Sequence, residues 1–194
     1  MDVAIFQAIN GLAGQFEWLD WLMYQLGRPK FLMPPGLAAL AWWMWRQRIE
    51  SALGGPALFA LLGVGDFLGA QVKWLIARPR PCRVLSDVHE ISGCGGTFSF
   101  PSNHALNTAA AAAFLQMLYP KTGWVSWPLV AMIGFSRIYV GGHYLTDVLG
   151  GWVIGGALGA GVALLLLRWP NFRSAESDER PMDEAGRTGA GAVR

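Results

Sequence analysis

The sequence predicts an all-α membrane protein, a polytopic bundle of five to six helices with its candidate active site at one membrane face. Of its 194 residues, 53% are hydrophobic and only 14% are charged, against about 25% charged residues in a typical soluble domain. Ten of the charged residues crowd into the segment from Arg168 to Arg194, which leaves too few to coat a water-soluble globule. The uncharged runs that remain approach the length of a bilayer span, about 20 residues.

Residues 1–26 predict an amphipathic helix in the membrane interface or, alternatively, a weak first span. Apolar residues recur there at roughly helical spacing, from Ile5 and Ile9 to Phe16, and acidic residues such as Glu17 interrupt them. An amphipathic pattern of this kind is typical of a helix that lies in the plane of the interface.

Five uncharged or nearly uncharged runs predict the helices of the core, residues 27–169. In chain order, they occupy residues 31–45, 51–74, 104–119, 124–140 and 148–167. Pro34 and Pro35 stand at the start of the first run, where a helix tolerates proline. The last run carries glycines at four-residue spacing, which lets a neighbouring helix approach closely.

The segment 170–194 is charged and rich in glycine, a composition that predicts a disordered tail. The net charge of +2 supplies no basic stripe able to neutralise a phosphate backbone, so no nucleic-acid partner is expected. The expected partner is the lipid bilayer, and the sequence leaves the oligomeric state open.

Ionisable residues in or beside membrane spans are costly, and they therefore indicate function. Here they form three groups: Lys73–Pro81 at the end of the second span, Pro101–His104 at the start of the third, and Ser136–Asp147 bridging the fourth and fifth. The third span leads away from this face and the fourth returns to it. All three groups are therefore expected at one membrane face.

The residue types in these groups suit a phosphate-like anion. Lys73, Arg80 and Arg137 supply three positive charges, which can offset the charge on phosphoryl oxygens. Pro101 and Ser102 read as a helix start, so the N–H groups of Ser102, Asn103 and His104 are expected to point at the same anion. We therefore expect a phosphate-binding site built from Lys73, Arg80, Ser102, Asn103 and Arg137.

Two histidines and a carboxylate complete the candidate chemistry. His143 and Asp147 are four residues apart, one helical turn if the last helix begins that early. The carboxylate would then hold the imidazole in one tautomer and make its other nitrogen nucleophilic. His104 is placed to protonate a leaving oxygen. No cluster of Asp, Glu and His at metal-ligand spacing is present in the sequence, so neither a metal nor a cofactor is expected.

The three groups resemble the signature of the type 2 phosphatidic acid phosphatases. The matching patterns are Lys73-x6-Arg80-Pro81, Pro101-Ser102-x-His104 and Ser136-Arg137-x5-His143-x3-Asp147. The resemblance implies metal-free hydrolysis of lipid phosphates through a phosphohistidine. His143 would attack phosphorus, Asp147 would orient His143, and His104 would protonate the leaving group. The family usually has glycine where Asn103 stands.

The resemblance also implies a class of substrate. The preferred interpretation is an undecaprenyl pyrophosphate phosphatase, and phosphatidylglycerophosphate, phosphatidic acid and lipid A 1-phosphate are alternative substrates. A lipid-linked phosphotransferase would use the same phosphohistidine and pass it to an alcohol. A haloperoxidase would need vanadate at this site, and a non-enzymatic scaffold would make the whole signature a coincidence.

The distribution of cations predicts that the site faces outward from the inner (cytoplasmic) membrane. Once the cations assigned to the site are set aside, Arg46, Arg48, Lys121, Arg168 and Arg173 mark the opposite face as the inner one. Cys82 and Cys94 bracket the loop between the first two groups. They predict a disulfide if that loop meets an oxidising compartment, and two unpaired thiols otherwise.

Three further charged residues are given structural interpretations. Arg78 and Arg83 are expected among the lipid headgroups. Asp66 lies seven residues before Lys73, on the same helix face. It is expected to be the structural partner of a cation.

Overall fold

A computed structural model describes residues 1–46, 48–169 and 172 of the chain. Two short helices, α1 (Asp2–Asn10) and α2 (Glu17–Leu26), precede the long helices α3 (Pro29–Arg46) and α4 (Arg48–Ile76). A loop that carries the four-residue helix α5 (Pro81–Val84) leads to α6 (Asn103–Leu118). The last two helices are α7 (Gly123–Tyr139) and α8 (Leu145–Leu167).

The five helices predicted for the core are confirmed, with ends shifted by a few residues. A 3₁₀ turn, Pro120–Thr122, reverses the chain between α6 and α7. One detail was wrong: Pro34 and Pro35 were expected at the start of the first helix. That helix, α3, begins earlier, at Pro29, so both prolines lie inside it. The charged tail predicted for residues 170–194 lies outside the described residues except for Phe172, which is buried.

Helices α6 and α8 form the centre of the bundle and run parallel to each other. Their close approach depends on glycine, because a Cβ on Gly155 would lie 2.0 Å from the carbonyl oxygen of Leu106. A Cβ on Gly159 would lie 2.1 Å from that of Ala110. The small-residue spacing seen in the sequence is therefore the contact surface between these two backbones.

The contacts of the other helices fix their directions. Gly69 of α4 faces Asn103 at the start of α6, and Gly65, one turn earlier, faces Asn107 one turn further along. Helix α4 therefore runs antiparallel to α6 and ends where α6 begins. Helix α7 ends close to the start of α8, since only Val140–Tyr144 separates them. The ends of α4 and α7 and the starts of α6 and α8 thus share one face of the bundle.

Two of the described helices, Ala52–Ile76 and Leu145–Leu167, are long and apolar enough to cross a membrane by length and composition. Helices α3, α6 and α7 have 18, 16 and 17 residues. The exposed side chains of α7 are apolar, and Trp124 and Val125 are largely exposed. Such a surface suits hydrocarbon surroundings better than water.

The N-terminal segment differs from the single amphipathic helix that its periodicity predicts. It folds as two helices of nine and ten residues, each shorter than the roughly 20 residues of a span. The chain turns between them at Gly14, whose φ of +82° favours glycine. Buried Asn10 donates to the carbonyl oxygen of Tyr139 at 2.8 Å, which ties this segment to the end of α7.

Candidate active site

A cavity of about 490 Å³ opens at the face where the helix ends meet. The predicted site residues on its wall are Lys73, Arg80, Asn103, His104, Arg137 and His143. The other two, Ser102 and Asp147, are buried and do not line it. The structure therefore brings the three groups together, as their spacing predicts.

His143 and Asp147 stand at the start of α8. The helix begins at Leu145, so His143 lies on the loop before it and not on its first turn. The Nδ1 atom is still 3.6 Å from Asp147 Oδ2, slightly beyond hydrogen-bond distance. Its Nε2 atom lies 3.3 Å from Arg80 Nη1. This orientation turns Nδ1 to the carboxylate and Nε2 to the cations.

Asp147 is fully buried and accepts hydrogen bonds on both oxygens. The Tyr144 backbone N–H donates to Oδ2 at 2.8 Å, which caps the N-terminus of α8. The Arg78 guanidinium donates to Oδ1 at 2.8 Å. The carboxylate is therefore held in place by these two donors, without a hydrogen bond from the imidazole.

Burial and neighbouring cations act on the pKa of His143. Burial, and to a lesser extent the positive charges of Arg80 and Lys73, lower this pKa to about 4, against the opposing effect of Asp147. Burial also lowers the pKa of the Arg80 guanidinium, against the opposing charge of Asp147. His143 is therefore neutral over the physiological range, the form in which one ring nitrogen keeps a free lone pair.

We expect kcat/KM to decrease on the acidic side of its pH profile only at a pH well below the ordinary histidine pKa of about 6.5. In its predicted role as nucleophile, His143 reacts in the neutral form, so activity should be retained above its lowered pKa and lost as pH falls through it. The measurement is kcat/KM against pH for a phosphate monoester and a diphosphate, since a limb caused by substrate ionisation would differ between the two. A shared limb between pH 6 and 7 would contradict this assignment.

Lys73, Arg80 and Arg137 form the cationic wall of the cavity. Lys73 Nζ donates to the carbonyl oxygen of Pro101, and Arg80 Nη1 donates to that of Gly142 at 3.1 Å. Arg137 is only 7% exposed and donates to Ser136 Oγ at 3.0 Å. Within the described part of the chain, none of the three pairs with a carboxylate. Three partly buried cations without counter-ions make a site for an anion of high charge.

The role predicted for Ser102 is corrected in part. Its backbone N–H donates to the carbonyl oxygen of Asp147 at 3.0 Å, so this N–H is not directed at the cavity. The Ser102 hydroxyl is buried without a hydrogen-bond partner among the described residues. Asn103 and His104, which open α6, do line the cavity, and their amides belong to the helix turn that lacks intrahelical acceptors.

His104 meets a segment that the sequence analysis did not connect to the site. Its Nε2 atom lies 3.0 Å from the carbonyl oxygen of Gly27, at the end of α2. Gly27, Tyr24 and Arg28 form one wall of the cavity. A Cβ on Gly27 would lie 1.7 Å from Arg137 Nη2, so this position has no room for a side chain while Arg137 keeps its place.

We expect Gly27→Ala to lower kcat/KM by about 10- to 100-fold, because the methyl group displaces the Arg137 guanidinium from the cavity wall. Gly156→Ala is the matched control, since a Cβ there meets no atom within 4 Å. Both variants are assayed for phosphate release beside a thermal melt. Unchanged kcat/KM in Gly27→Ala would mean that activity does not depend on the space that Gly27 leaves for the Arg137 guanidinium.

Arg78 was expected among the lipid headgroups, but its guanidinium binds protein groups. Besides Asp147, it contacts Asp2 at 2.6 Å and Thr146 Oγ1 at 2.6 Å. Arg83 is exposed and donates to the Gly95 carbonyl oxygen at 3.3 Å. No sequence spacing links Arg78 to Asp2, because 76 positions separate them.

Asp66 also differs from its prediction as the partner of a cation. Its Oδ1 atom accepts hydrogen bonds from the side-chain amides of Asn103 at 3.1 Å and Asn107 at 2.9 Å. Lys73, the nearest cation along the same helix, is directed to the Pro101 carbonyl oxygen. Asp66 therefore links α4 to α6 through neutral amides.

The cysteines, for which two interpretations were left open, are paired. Cys82 and Cys94 form a disulfide with Cα atoms 5.7 Å apart. The bond closes the loop after α4, and Gly93, Cys94 and Gly95 of this loop line the cavity. The disulfide thus stiffens one wall of the site.

Comparison with known proteins identifies the family. The PAP2 superfamily model matches residues 54–173, a segment that contains all three groups. The chain belongs to the PAP2 superfamily. It is 34% identical over 161 residues to the undecaprenyl-diphosphatase BcrC of Bacillus subtilis (strain 168), covering 79% of this chain and 78% of that protein. It is 31% identical over 153 residues to the phosphatidylglycerophosphatase B of the same organism, covering 71% and 70%.

A solved structure agrees with this assignment. The crystal structure of a transmembrane PAP2-type phosphatidylglycerolphosphate phosphatase from Bacillus subtilis superposes with a TM-score of 0.67 and 28% identity. The match covers 89% of this chain and 87% of that one. This PAP2 protein is thus an integral membrane helix bundle and a lipid phosphate phosphatase, which confirms the predicted fold class and enzyme class.

Proposed function

We propose that this PAP2 protein hydrolyses the phosphate ester or pyrophosphate of a membrane lipid through a phosphohistidine at His143, without a metal. The observation that carries the proposal is that His143, with the buried Asp147 carboxylate 3.6 Å from its Nδ1 atom, lies on the wall of a cavity. Three cations on the same wall have no carboxylate partner among the described residues. A nucleophile, its orienting carboxylate and an anion-binding wall are the parts that this chemistry needs.

In the first step, the Nε2 lone pair of His143 attacks phosphorus and the bond to the leaving oxygen breaks. His104 gives its proton to that oxygen, while Lys73, Arg80 and Arg137 stabilise the charge on the non-bridging oxygens. The amides of Asn103 and His104 add helix N-terminal donors to the same oxygens. Asp147 stabilises the imidazole as it becomes positively charged.

In the second step, water replaces the imidazole. His104, now neutral, takes a proton from the water as its oxygen attacks phosphorus. The N–P bond breaks, and its electron pair returns to His143 Nε2. Inorganic phosphate leaves, His104 is again protonated, and the enzyme is restored.

We propose undecaprenyl pyrophosphate as the preferred substrate. Support comes from the 34% identity to an undecaprenyl-diphosphatase, which extends over most of both chains. Phosphatidylglycerophosphate is the second candidate, on the likeness to phosphatidylglycerophosphatase B. Phosphatidic acid and lipid A 1-phosphate carry the same monoester and belong in the same assay.

We further propose that the cavity faces outward from the cytoplasmic membrane. The Cys82–Cys94 disulfide supports this side, because disulfides persist in oxidising compartments and are rare in the cytosol. A disulfide in the cavity wall would be reduced if that wall faced the cytoplasm. Labelling of a single cysteine introduced beside the cavity, in intact cells, tests the orientation.

The experiment that tests the activity is phosphate release by the purified, detergent-solubilised protein. The panel contains undecaprenyl pyrophosphate, phosphatidylglycerophosphate, phosphatidic acid and lipid A, each with excess chelator and each repeated with His143→Ala. We expect release by the wild type alone, fastest with undecaprenyl pyrophosphate. A chelator-induced loss that Mg²⁺ restores would contradict the metal-free step, and another rank order would reassign the substrate.

A second arm separates hydrolysis from phosphotransfer. Candidate acceptor lipids with a free hydroxyl are added to the same reaction, and phosphorylated product is measured beside inorganic phosphate. We expect inorganic phosphate to account for all of the substrate consumed. Phosphorylated acceptor in place of phosphate would make the protein a transferase.

A further inference from the structure

Arg78 joins the N-terminal helix to the first turn of α8. Its Nη1 atom donates to Asp147 Oδ1 at 2.8 Å and to Thr146 Oγ1 at 2.6 Å. Its Nη2 atom donates to Asp2 Oδ2 at 2.6 Å. The guanidinium also lies over the Tyr144 ring, with Cζ 4.0 Å from the centroid. Four groups therefore fix the position of this side chain.

Arg78 differs from the three cations of the cavity wall in both position and pairing. Lys73, Arg80 and Arg137 line the cavity and have no carboxylate partner among the described residues. Arg78 does not line the cavity, and it pairs with two carboxylates, Asp2 and Asp147. Its positive charge is thus neutralised by carboxylates of the protein and does not serve to bind an anion in the cavity.

Asp2 is bound to the same turn of α8 as Arg78. Its carboxylate accepts from the Thr146 backbone N–H at 3.2 Å and from Thr146 Oγ1 at 2.5 Å. It therefore binds the amide end of α8, where a negative charge is stabilising. Helix α1 contacts the catalytic pair through this one carboxylate and Arg78.

We propose that Arg78 is a positioning residue for the reaction, which fixes the Asp147 carboxylate against His143 and is itself held and charge-balanced by Asp2. This inference rests on the proposed function of the His143–Asp147 pair. It adds two residues to those that set the geometry of the nucleophile. Arg78 lies within the first group but at an unspecified position of Lys73-x6-Arg80-Pro81, and Asp2 lies outside all three groups.

The charge of Asp2 is needed for a physical reason. A lone arginine bonded to Asp147 would offset the negative charge that the imidazole requires when it becomes positively charged in the reaction. With Asp2 present, two carboxylates share one guanidinium, so the cluster keeps a net charge of about −1 beside His143. The planar fork of arginine can hold both carboxylates at once, and a lysine ammonium cannot reproduce this geometry.

The test compares Arg78→Ala, Arg78→Lys and Asp2→Asn with the wild type. The probes are short-chain phosphatidic acid and farnesyl pyrophosphate in detergent micelles. Arg83→Ala and Asp87→Asn are the matched controls, because both side chains are exposed on the same loop. For each variant kcat, KM, the melting temperature and the rate of phosphohistidine formation are measured.

We expect Arg78→Ala to lower kcat about 10- to 100-fold, as is typical when a supporting partner of a reactive group is lost, with KM changed less than about twofold. Arg78→Lys should recover part of this loss, and both control variants should match the wild type. Asp2→Asn should lower kcat less than Arg78→Ala. Combined with Arg78→Ala, it should add nothing, because Asp2 acts through Arg78.

Three results would overturn the proposal. A raised KM with unchanged kcat in Arg78→Ala would make Arg78 a substrate-binding group. Losses that multiply in the double variant would mean that Asp2 and Arg78 act independently. Wild-type kcat in both Arg78→Lys and Asp2→Asn would show that neither the guanidinium fork nor the charge of Asp2 is needed. If Arg78→Ala does not fold, Arg78→Lys, Asp2→Asn and their double variant decide.

One further variant distinguishes a failure of the role proposed for Arg78 from a failure of the proposed function. Asp147→Asn, assayed in parallel, tests the pair itself. Slow turnover in Asp147→Asn with wild-type turnover in Arg78→Ala would overturn the role of Arg78 alone. Wild-type turnover in Asp147→Asn would overturn the proposed function, and the role of Arg78 with it.

Discussion

His143→Ala is expected to reduce lipid phosphate hydrolysis to background, a loss on the order of 10⁶-fold in kcat, as when the nucleophile of a covalent mechanism is removed. The imidazole is 5% exposed, and its Nε2 atom lies beside Arg80. A methyl group there leaves the cationic wall in place but no lone pair to attack phosphorus. Substrate binding should therefore survive while turnover does not.

The measurement is phosphate release with binding recorded separately, for example by competition with a labelled substrate. His89→Ala is the matched control, because His89 is exposed and contacts Asn10 only through its backbone N–H and carbonyl. It should turn over at the wild-type rate. Since the chain has only three histidines, the remaining one, His104, can be examined by the same assay.

Trapping the intermediate sharpens this test. Brief reaction with substrate labelled in the phosphoryl group, followed by quenching at alkaline pH, should leave label on the wild type and on His89→Ala but none on His143→Ala. His104→Gln should be slow to lose the label, because it lacks the group that takes the proton from water. Label retained on His143→Ala would show that another residue is the nucleophile.

The arrangement of the core follows from patterns that are local in the sequence. Lys73 lies in the last turn of one helix, Arg80 follows that helix, and Pro101 precedes the next, so the order of spans alone places them at one face. The four-residue spacing of Gly151, Gly155 and Gly159 indicates the contact face of α8. Such features are predictable because helix geometry relates nearby residues in a fixed way.

The features that sequence reasoning missed depend on contacts between distant segments. Gly27 lies 77 positions from His104, and no periodicity connects the α2–α3 turn to the cavity. Asp66 was assigned a cationic partner from its position on one helix face, but its actual partners lie on α6. Side-chain pairing across helices depends on rotamers and crossing geometry, which a single sequence does not reveal.

Asp147→Asn is expected to lower kcat by about 10³- to 10⁴-fold, with KM little changed, as when a buried carboxylate that orients a catalytic histidine is made neutral. The size of the effect follows from its neighbours. Asp147 is fully buried, and Arg78 and the Tyr144 backbone N–H both donate to it. An amide is uncharged, so it cannot stabilise a positively charged imidazole in this position.

The hydrogen-bond pattern around Asp147 gives a second reason why Asp147→Asn should be slow. Every group around the carboxylate is a donor: the Arg78 guanidinium, the Tyr144 N–H, and His143 Nδ1–H in the tautomer that leaves Nε2 free. The asparagine NH₂ must face one of these donors, or it must force His143 into the opposite tautomer, in which Nε2 carries the proton and cannot attack. Either outcome slows phosphohistidine formation and not its hydrolysis alone.

The rate of intermediate formation therefore tests this assignment more directly than steady-state turnover. In rapid-quench experiments, Asp147→Asn should form labelled enzyme about as slowly as it turns over, whereas Asp87→Asn, an exposed carboxylate on the same face, should match the wild type. Labelling at the wild-type rate with slow turnover would move the role of Asp147 to the second step. A kcat within tenfold of the wild type would mean that backbone and loop contacts alone orient His143.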